Sequence, residues 1–151
     1  MIQLAIIYSK TKLSGRLTKF WTGSYAYHCG FVDEASDTFY DMHWNPRCTT
    51  WTEHGYKDVQ FFDVNITLED CARYRIKDRD ITYGWRDYTL FALRPFYHLI
   101  GKSTRNGGGM ICSEMVNNWL WDKSIRATPF SPMQEPPSPA DLDRFFNKIT
   151  I

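Results

Sequence analysis

The first half of the chain consists of short apolar or alternating segments separated by polar residues. Residues 2–8 are rich in isoleucine and end at polar residues, which predicts a buried strand. Alternating apolar and polar positions predict further strands over residues 25–32, 37–44 and 59–64, with a short edge strand over residues 48–52. Together these segments predict a sheet.

Helical signals also occur and become dominant later in the chain. A short helix is predicted over residues 14–21, with Ser14 as its N-cap. Thr67 can cap a helix that runs to Lys77, with Asp70 at the third helical position in a variant of the capping box. Both helices begin where a short polar side chain can accept a backbone hydrogen bond.

Three more helices are predicted beyond residue 84. Residues 85–93 predict a helix that stops before Pro95, since the residue preceding a proline disfavours helical geometry. A stronger helix over residues 110–121 follows the break at Gly107–Gly109, where glycine gives the backbone room. The last helix begins at Ser138–Pro139, with serine at the N-cap and proline at the first helical position.

The order of these elements indicates the fold class. Strands come early and helices late, which predicts an α+β fold with an antiparallel sheet. The chain has 151 residues, so we expect a single domain over residues 1–151. Five of the seven prolines lie in Pro129–Pro139, which predicts a loop or strap over the surface.

The nearly neutral charge of the chain argues against nucleic acid as its partner. Lys and Arg number 18 against 17 Asp and Glu, so no bulk positive charge favours nucleic acid. The basic residues that alternate over Arg73–Arg79 indicate a solvated face. No apolar run approaches the roughly 20 residues of a membrane-spanning helix, and no cofactor motif is present.

Cysteine usage and the N-terminus bear on the compartment. The four cysteines include no Cys-x-x-Cys pair, and the N-terminus lacks the features of a signal peptide, which predicts free thiols and a cytoplasmic protein. An origin in a phage genome is an alternative in which lysis, rather than export, releases the protein.

One cysteine lies where a helix can activate it. Cys112 shares a helical face with Met115, Val116, Trp119 and Leu120, and it falls in the first turn of the predicted helix. Free backbone N–H groups and the positive end of the helix dipole favour a thiolate there and can also receive an oxyanion. A core cysteine on an amphipathic helix is an equally good interpretation of this feature alone.

A histidine and a carboxylate are predicted to meet on the sheet. Ala26, His28, Gly30 and Val32 share one face of the strand over residues 25–32. If a four-residue loop from Asp33 to Ser36 joins it to the next strand, Gly30 faces Phe39 and His28 faces Asp41. Opposed Cβ atoms lie about 5 Å apart, so the Asp41 carboxylate can orient the His28 imidazole. Cys112, His28 and Asp41 then supply a nucleophile, a base and an orienting group.

Other roles for these histidines remain open. Taken alone, His28 is more simply a core histidine with satisfied hydrogen bonds. His43 lies on the same predicted face as Asp41 and is an alternative orienting residue. His43, Cys48 and His54 are also candidate zinc ligands, although their spacing matches no standard zinc pattern, so no metal is predicted.

The chain resembles the circularly permuted NlpC-type, papain-like cysteine peptidases and amidases, the group that contains YiiX-like proteins. The resemblance lies in His28-Cys29-Gly30-Phe31-Val32, in Ile111-Cys112-Ser113-Glu114-Met115-Val116 and in the closing Ser138-Pro139-Ala140-Asp141-Leu142. Phe31 stands where the family usually has an aliphatic residue, and Asp41 where it commonly has glutamate. Tyr83 is similar to a tyrosine that recurs upstream of the nucleophile.

The resemblance implies a papain-like fold and a thiol-dependent hydrolase. Cys112, His28 and Asp41 would be catalytic, and Tyr83 would bind substrate. The implied substrate is an amide in a peptide such as a cell-wall peptide of peptidoglycan. Two alternatives stay open: a lipid acyltransferase or thioesterase with an apolar groove, for which Trp21, Phe91 and Phe96 are available, and a binding module with an inert Cys112.

Overall fold

An antiparallel sheet of five strands lies at the centre of the molecule. The computed structural model describes residues 1–101, 108–125 and 136–149. The strands are β1 (Gln3–Tyr8), β2 (Ala26–Asp33), β3 (Thr38–Met42), β4 (Pro46–Thr50) and β5 (Val59–Asp63), in the sheet order β4-β3-β2-β1-β5. Each predicted strand is present.

Five α-helices accompany the sheet in the described residues. They are α1 (Leu13–Thr22), α2 (Leu68–Lys77), α3 (Trp85–Leu99), α4 (Cys112–Asp122) and α5 (Pro139–Ile149), with short 3-10 turns at Glu34–Ser36 and Thr52–His54. The α+β class predicted from the order of elements is therefore confirmed. No helix of the described ranges is both long and apolar enough to cross a bilayer.

The main core lies between the sheet and α4. The Phe31 ring stacks on Trp119 with centroids 5.8 Å apart, and the Trp119 indole donates a hydrogen bond to Asp78 (2.9 Å). All five residues of the apolar stripe predicted for α4 are buried. This packing fixes α4, and so the position of Cys112 at its N-terminus, against β2 and β3.

Two predicted helix caps are confirmed. Thr67 Oγ1 accepts from the Asp70 N–H (3.1 Å) while the Asp70 carboxylate accepts from the Thr67 N–H (3.1 Å). Ser138 and Asp141 form the same reciprocal pair at the start of α5. Each pair satisfies backbone donors that a helix start otherwise leaves unpaired.

Two details of the helices differ from the prediction. Ser14 lies inside α1, whose N-cap is Lys12; the Lys12 N–H donates to Ser9 Oγ (3.0 Å) and so draws the start upstream. α3 continues through Pro95 to Leu99. Proline has a backbone angle near the helical value, so a helix can pass through it at the cost of one backbone hydrogen bond.

The register of β2 and β3 also differs from the prediction. Gly30, rather than His28, lies opposite Asp41, and Val32 lies opposite Phe39. The cause is Asp37, which adopts the left-handed conformation (φ 50°) and closes the Glu34–Ser36 turn instead of starting the strand. Aspartate tolerates this conformation better than most residues do. The connecting loop still has four residues but begins one position later.

A bulge changes the predicted faces of β2. His28 pairs with Ile7 and Ala26 with Tyr8, so Tyr27 is an extra residue opposite β1. Ala26 therefore joins Cys29 and Phe31 in the main core, instead of sharing the face of His28 and Val32 as expected. An inserted residue reverses the alternation of side chains at that point.

Candidate active site

Cys112 is the first residue of α4, as its sequence position predicted. Its side chain is buried among the main core, with 4% of the residue exposed. The first intrahelical donor of this turn is the Met115 N–H, which binds the Ile111 carbonyl (2.9 Å). Earlier N–H groups of a helix have no intrahelical acceptor.

His28 and Asp41 are in direct contact despite the changed register. His28 Nε2 lies 2.9 Å from Asp41 Oδ2, and Asp41 is fully buried. Diagonal neighbours on one face of a sheet remain within reach of long side chains. Since Asp41 occupies Nε2, the ring nitrogen left for a second partner is Nδ1.

Arg47 completes this cluster from β4. It lies directly opposite Asp41 in the sheet, and its Nε and Nη2 donate to the two carboxylate oxygens at 2.6 and 2.9 Å. This two-point contact fixes the plane of the carboxylate, and so the direction in which Asp41 holds His28.

Cys112 reaches His28 at the point where the pairing of β2 with β3 ends. Pairing of these strands ends at Gly30 and Asp41, which leaves the first part of β2 without a partner on that side. The Cys112 thiol lies beside this open stretch, where it interacts with the Cys29 thiol and the His28 imidazole. A sheet residue and a helix-start residue distant in sequence thus become neighbours.

The charges of the cluster favour a thiolate and an imidazolium. The contact with Cys29 lowers the pKa of Cys112 well below its usual value, against the opposing effect of burial, and the His28 charge lowers it further. Burial alone would lower the pKa of His28, but Cys112 and Asp41 together raise it to about 9. Burial would raise the pKa of Asp41, yet His28 and Arg47 hold it at about 2.

A groove of about 420 Å³ opens onto the Cys112 thiol. Leu17 and Trp21 of α1 form one wall, Thr89 and Leu93 of α3 form another, and the starts of α4 and α5 lie at its base. No charged residue lines it among the residues described. A ligand in this groove therefore meets mainly apolar atoms next to one ionisable thiol.

Tyr83, the predicted substrate-binding residue, lines the same groove. Its segment is held on two sides: the Tyr83 N–H donates to the Trp44 carbonyl (2.8 Å), and Tyr83 pairs with Met110 in a short bridge. Gly109 permits this bridge, because a Cβ there would come within 2.5 Å of the Gly84 Cα. The same backbone approach positions the residues that lead into Cys112.

The other histidine candidates lie apart from the cluster. His43 is exposed beyond the end of β3 and packs on Trp44, so it does not replace Asp41 as the partner of His28. His54 Nε2 is bonded to Thr49 Oγ1 (2.8 Å) and its ring stacks on Tyr56. No group of three potential metal ligands occurs within the described ranges, and all four cysteines, including exposed Cys48, are unpaired.

Sequence reasoning missed Arg47 and the contact of Cys29 with Cys112. Arg47 lies before the edge strand predicted over residues 48–52, whereas β4 begins at Pro46. An opposite charge six residues after Asp41, across a tight turn, is the signal that identifies it. Three predicted features lie outside the described residues: Gly107, the Phe91 side chain and most of the Pro129–Pro139 strap.

Comparisons of the chain with protein-family models, curated proteins and solved structures give no match.

Proposed function

We propose that this protein is a cysteine-dependent acyl-transfer enzyme, a hydrolase or amidase with a papain-like arrangement of Cys112, His28 and Asp41. The observation that carries the proposal is the buried thiol at a helix N-terminus, beside a histidine held by a fully buried carboxylate, at the base of a groove. A core cysteine with no catalytic role needs neither the histidine nor the groove.

In the proposed reaction, Nδ1 of His28 takes the proton of the Cys112 thiol, and the thiolate attacks the carbonyl carbon of an amide or ester. The carbonyl oxygen becomes an oxyanion, which the Cys112 N–H at the start of α4 can bind. The carbon–heteroatom bond then breaks, and His28 returns the proton to the leaving amine or alcohol. A thioester on Cys112 remains, and water or another acceptor removes the acyl group.

The lining of the groove bears on the choice of substrate. A cell-wall peptide, the amide that the family resemblance implies, is rich in charged and polar groups, and such groups bind best to polar partners. The groove instead favours an apolar acyl group, since Leu17, Trp21 and Leu93 line it. The second candidate is therefore a thioesterase or acyltransferase that acts on a lipid-like acyl ester or amide.

The nucleophile can be tested without knowing the substrate. Iodoacetamide labelling of each cysteine, followed by mass spectrometry from about pH 5 to 9, compares wild type with His28→Ala. We expect Cys112 to react faster than exposed Cys48 near neutral pH, because a lowered pKa increases its thiolate fraction. In His28→Ala this advantage should decrease, because the His28 charge is one of the causes that lower the pKa of Cys112.

His43→Ala is the matched control, since His43 is a nearby histidine outside the cluster. It should label like wild type. If Cys112 reacts no faster than Cys48 in the folded wild type, the enzyme proposal fails and a binding module is the better explanation. If labelling succeeds, release of fatty acid from acyl esters, against release of new amino groups from peptidoglycan, distinguishes the two candidate substrates.

A further inference from the structure

Helix α1 presents three large apolar residues to solvent, whereas its inner side consists of small or polar residues and the half-buried Trp21. Leu13 and Phe20 are 70% and 76% exposed, and Leu17 is 43% exposed. On the inner side, Gly15 packs so closely on the Ser9 carbonyl that a Cβ would lie 1.9 Å from its oxygen, and Thr18 satisfies its hydroxyl on Ser14. The close packing of Gly15 fixes this orientation, which is the reverse of an ordinary surface helix.

Helix α3 continues the exposed apolar surface. Phe96, Leu99 and Ile100 are 60%, 84% and 64% exposed and lie on one side of the helix. Leu17 of α1 and Leu93 of α3 are partly exposed and also line the groove, so the two apolar stripes meet at its mouth. A continuous patch of this kind usually marks a binding surface.

Positive charge accompanies the stripe on α1. Lys10, Lys12, Arg16 and Lys19 are all exposed, and the first acidic residue of the chain is Asp33. The chain as a whole is almost neutral, so this excess is local. An exposed apolar stripe flanked by lysine and arginine is the composition of a helix that lies in the interface of an anionic membrane.

We infer that α1 and the end of α3 dock this protein on an anionic phospholipid surface, with the mouth of the Cys112 groove turned towards the lipid. Leu13, Leu17 and Phe20 enter the interface while Arg16 and Lys19 contact lipid phosphates. This docking proposal does not require Cys112 to be catalytic. One consequence rests on the proposed function: the acyl group attacked by Cys112 enters the groove from the membrane.

The test uses the full chain as Cys112→Ser, sedimented with vesicles of phosphatidylcholine alone or mixed with phosphatidylglycerol. We expect binding to the mixed vesicles and weak binding to phosphatidylcholine, with a loss of about fivefold per cation in Arg16→Gln and Lys19→Gln. Leu13→Glu with Phe20→Glu should reduce the partition coefficient at least about tenfold. Ile76→Glu is the matched control, because Ile76 is 60% exposed on the basic helix α2.

Three results would overturn the inference. One is the absence of binding to the mixed vesicles, and another is an equal loss in Ile76→Glu. The third is a stable dimer in sedimentation that Leu13→Glu with Phe20→Glu dissociates, which would show that a second copy covers this face. When Cys112 is retained, the double variant Leu13→Glu with Phe20→Glu should keep the wild-type alkylation rate of Cys112. Loss of vesicle binding and loss of Cys112 reactivity are therefore separate observations.

Discussion

Asp41→Asn is the most direct test of how the candidate site is held together. Asp41 is fully buried, and its carboxylate binds His28 Nε2 on one side and the Arg47 guanidinium on the other. Asparagine keeps the size and one acceptor but removes one of the two charges, those of Cys112 and Asp41, that raise the pKa of His28. Arg47 is 32% exposed, so its guanidinium can turn to solvent in the variant.

The magnitude follows from the His28–Asp41 contact. A hydrogen bond to a charged group contributes about 1.5–3 kcal/mol, and one pKa unit corresponds to about 1.4 kcal/mol. Loss of this bond should therefore lower the pKa of His28 by about one to two units. From its value of about 9 in wild type, the pKa should fall to about 7–8.

The assay is an NMR titration of the histidine ring Cε1–H signals from about pH 5 to 10. The chain has only four histidines, and His28→Ala identifies the His28 signal by its absence. The midpoint of His28 in Asp41→Asn should lie below that of wild type. Circular dichroism melts establish that both proteins are folded over the range used.

Asp37→Asn is the matched control for the lost charge. Asp37 precedes the same strand and accepts hydrogen bonds from the Thr52 N–H and hydroxyl, and asparagine also tolerates its left-handed conformation. The His28 midpoint should be unchanged in this variant. An unchanged midpoint in Asp41→Asn, or an equal shift in both variants, would refute the role of Asp41 as the group that orients and charges His28.

Three further changes test how the fold supports the site. The pKa of Asp41 is lowered from 3.8 to about 2 in the folded state, so the stability that Asp41 contributes is present above about pH 4 and is lost as the pH falls towards 2. Over this window, urea melts should show that wild type loses about 2 kcal/mol more free energy of unfolding than Asp41→Asn does. Equal losses in the two proteins would contradict the buried ion pair. Gly109→Ala places a Cβ 2.5 Å from the Gly84 Cα, so it should lower stability by about 1–3 kcal/mol and slow Cys112 alkylation. Gly23→Ala meets no neighbour but strains a left-handed residue (φ 79°), so it should lower stability and leave alkylation unchanged. Ser138→Ala removes the N-cap of α5 and should cost about 1 kcal/mol in thermal melts; no loss would show that the Ser138–Asp141 pair contributes little.

The His28–Asp41 contact was predictable even though its register was not. Side chains alternate along a strand with a period of two, so a pairing that moves by two residues keeps the same side chains on the same face. Gly30 replaced His28 opposite Asp41, and His28 became a diagonal neighbour within hydrogen-bonding distance. The Phe39 ring still covers Gly30, since a Cβ there would lie 2.7 Å from Phe39 Cε2.

Other features depend on tertiary packing that a local pattern does not encode. Asp37 is compatible with a strand start, and only its turn with Glu34 shows the left-handed conformation. The bulge at Tyr27 depends on how β1 pairs with β2. Cys112 comes close to His28 because the pairing of β3 with β2 ends at Gly30 and α4 begins beside the unpaired part of β2. The sequences of β3 and α4, taken separately, do not specify this arrangement.

The position of Asp41 between two cations determines which groups can move a proton. Its pKa of about 2 keeps the carboxylate ionised throughout the neutral range, so it does not take the His28 proton. The raised pKa of His28 and the lowered pKa of Cys112 both favour the thiolate and imidazolium forms of this pair. In the proposed reaction the imidazolium proton on Nδ1 is the one available to the leaving group, because Asp41 holds Nε2. In the proposed reaction Arg47 is a positioning residue: its contact with both oxygens of Asp41 keeps that carboxylate an anion that holds His28.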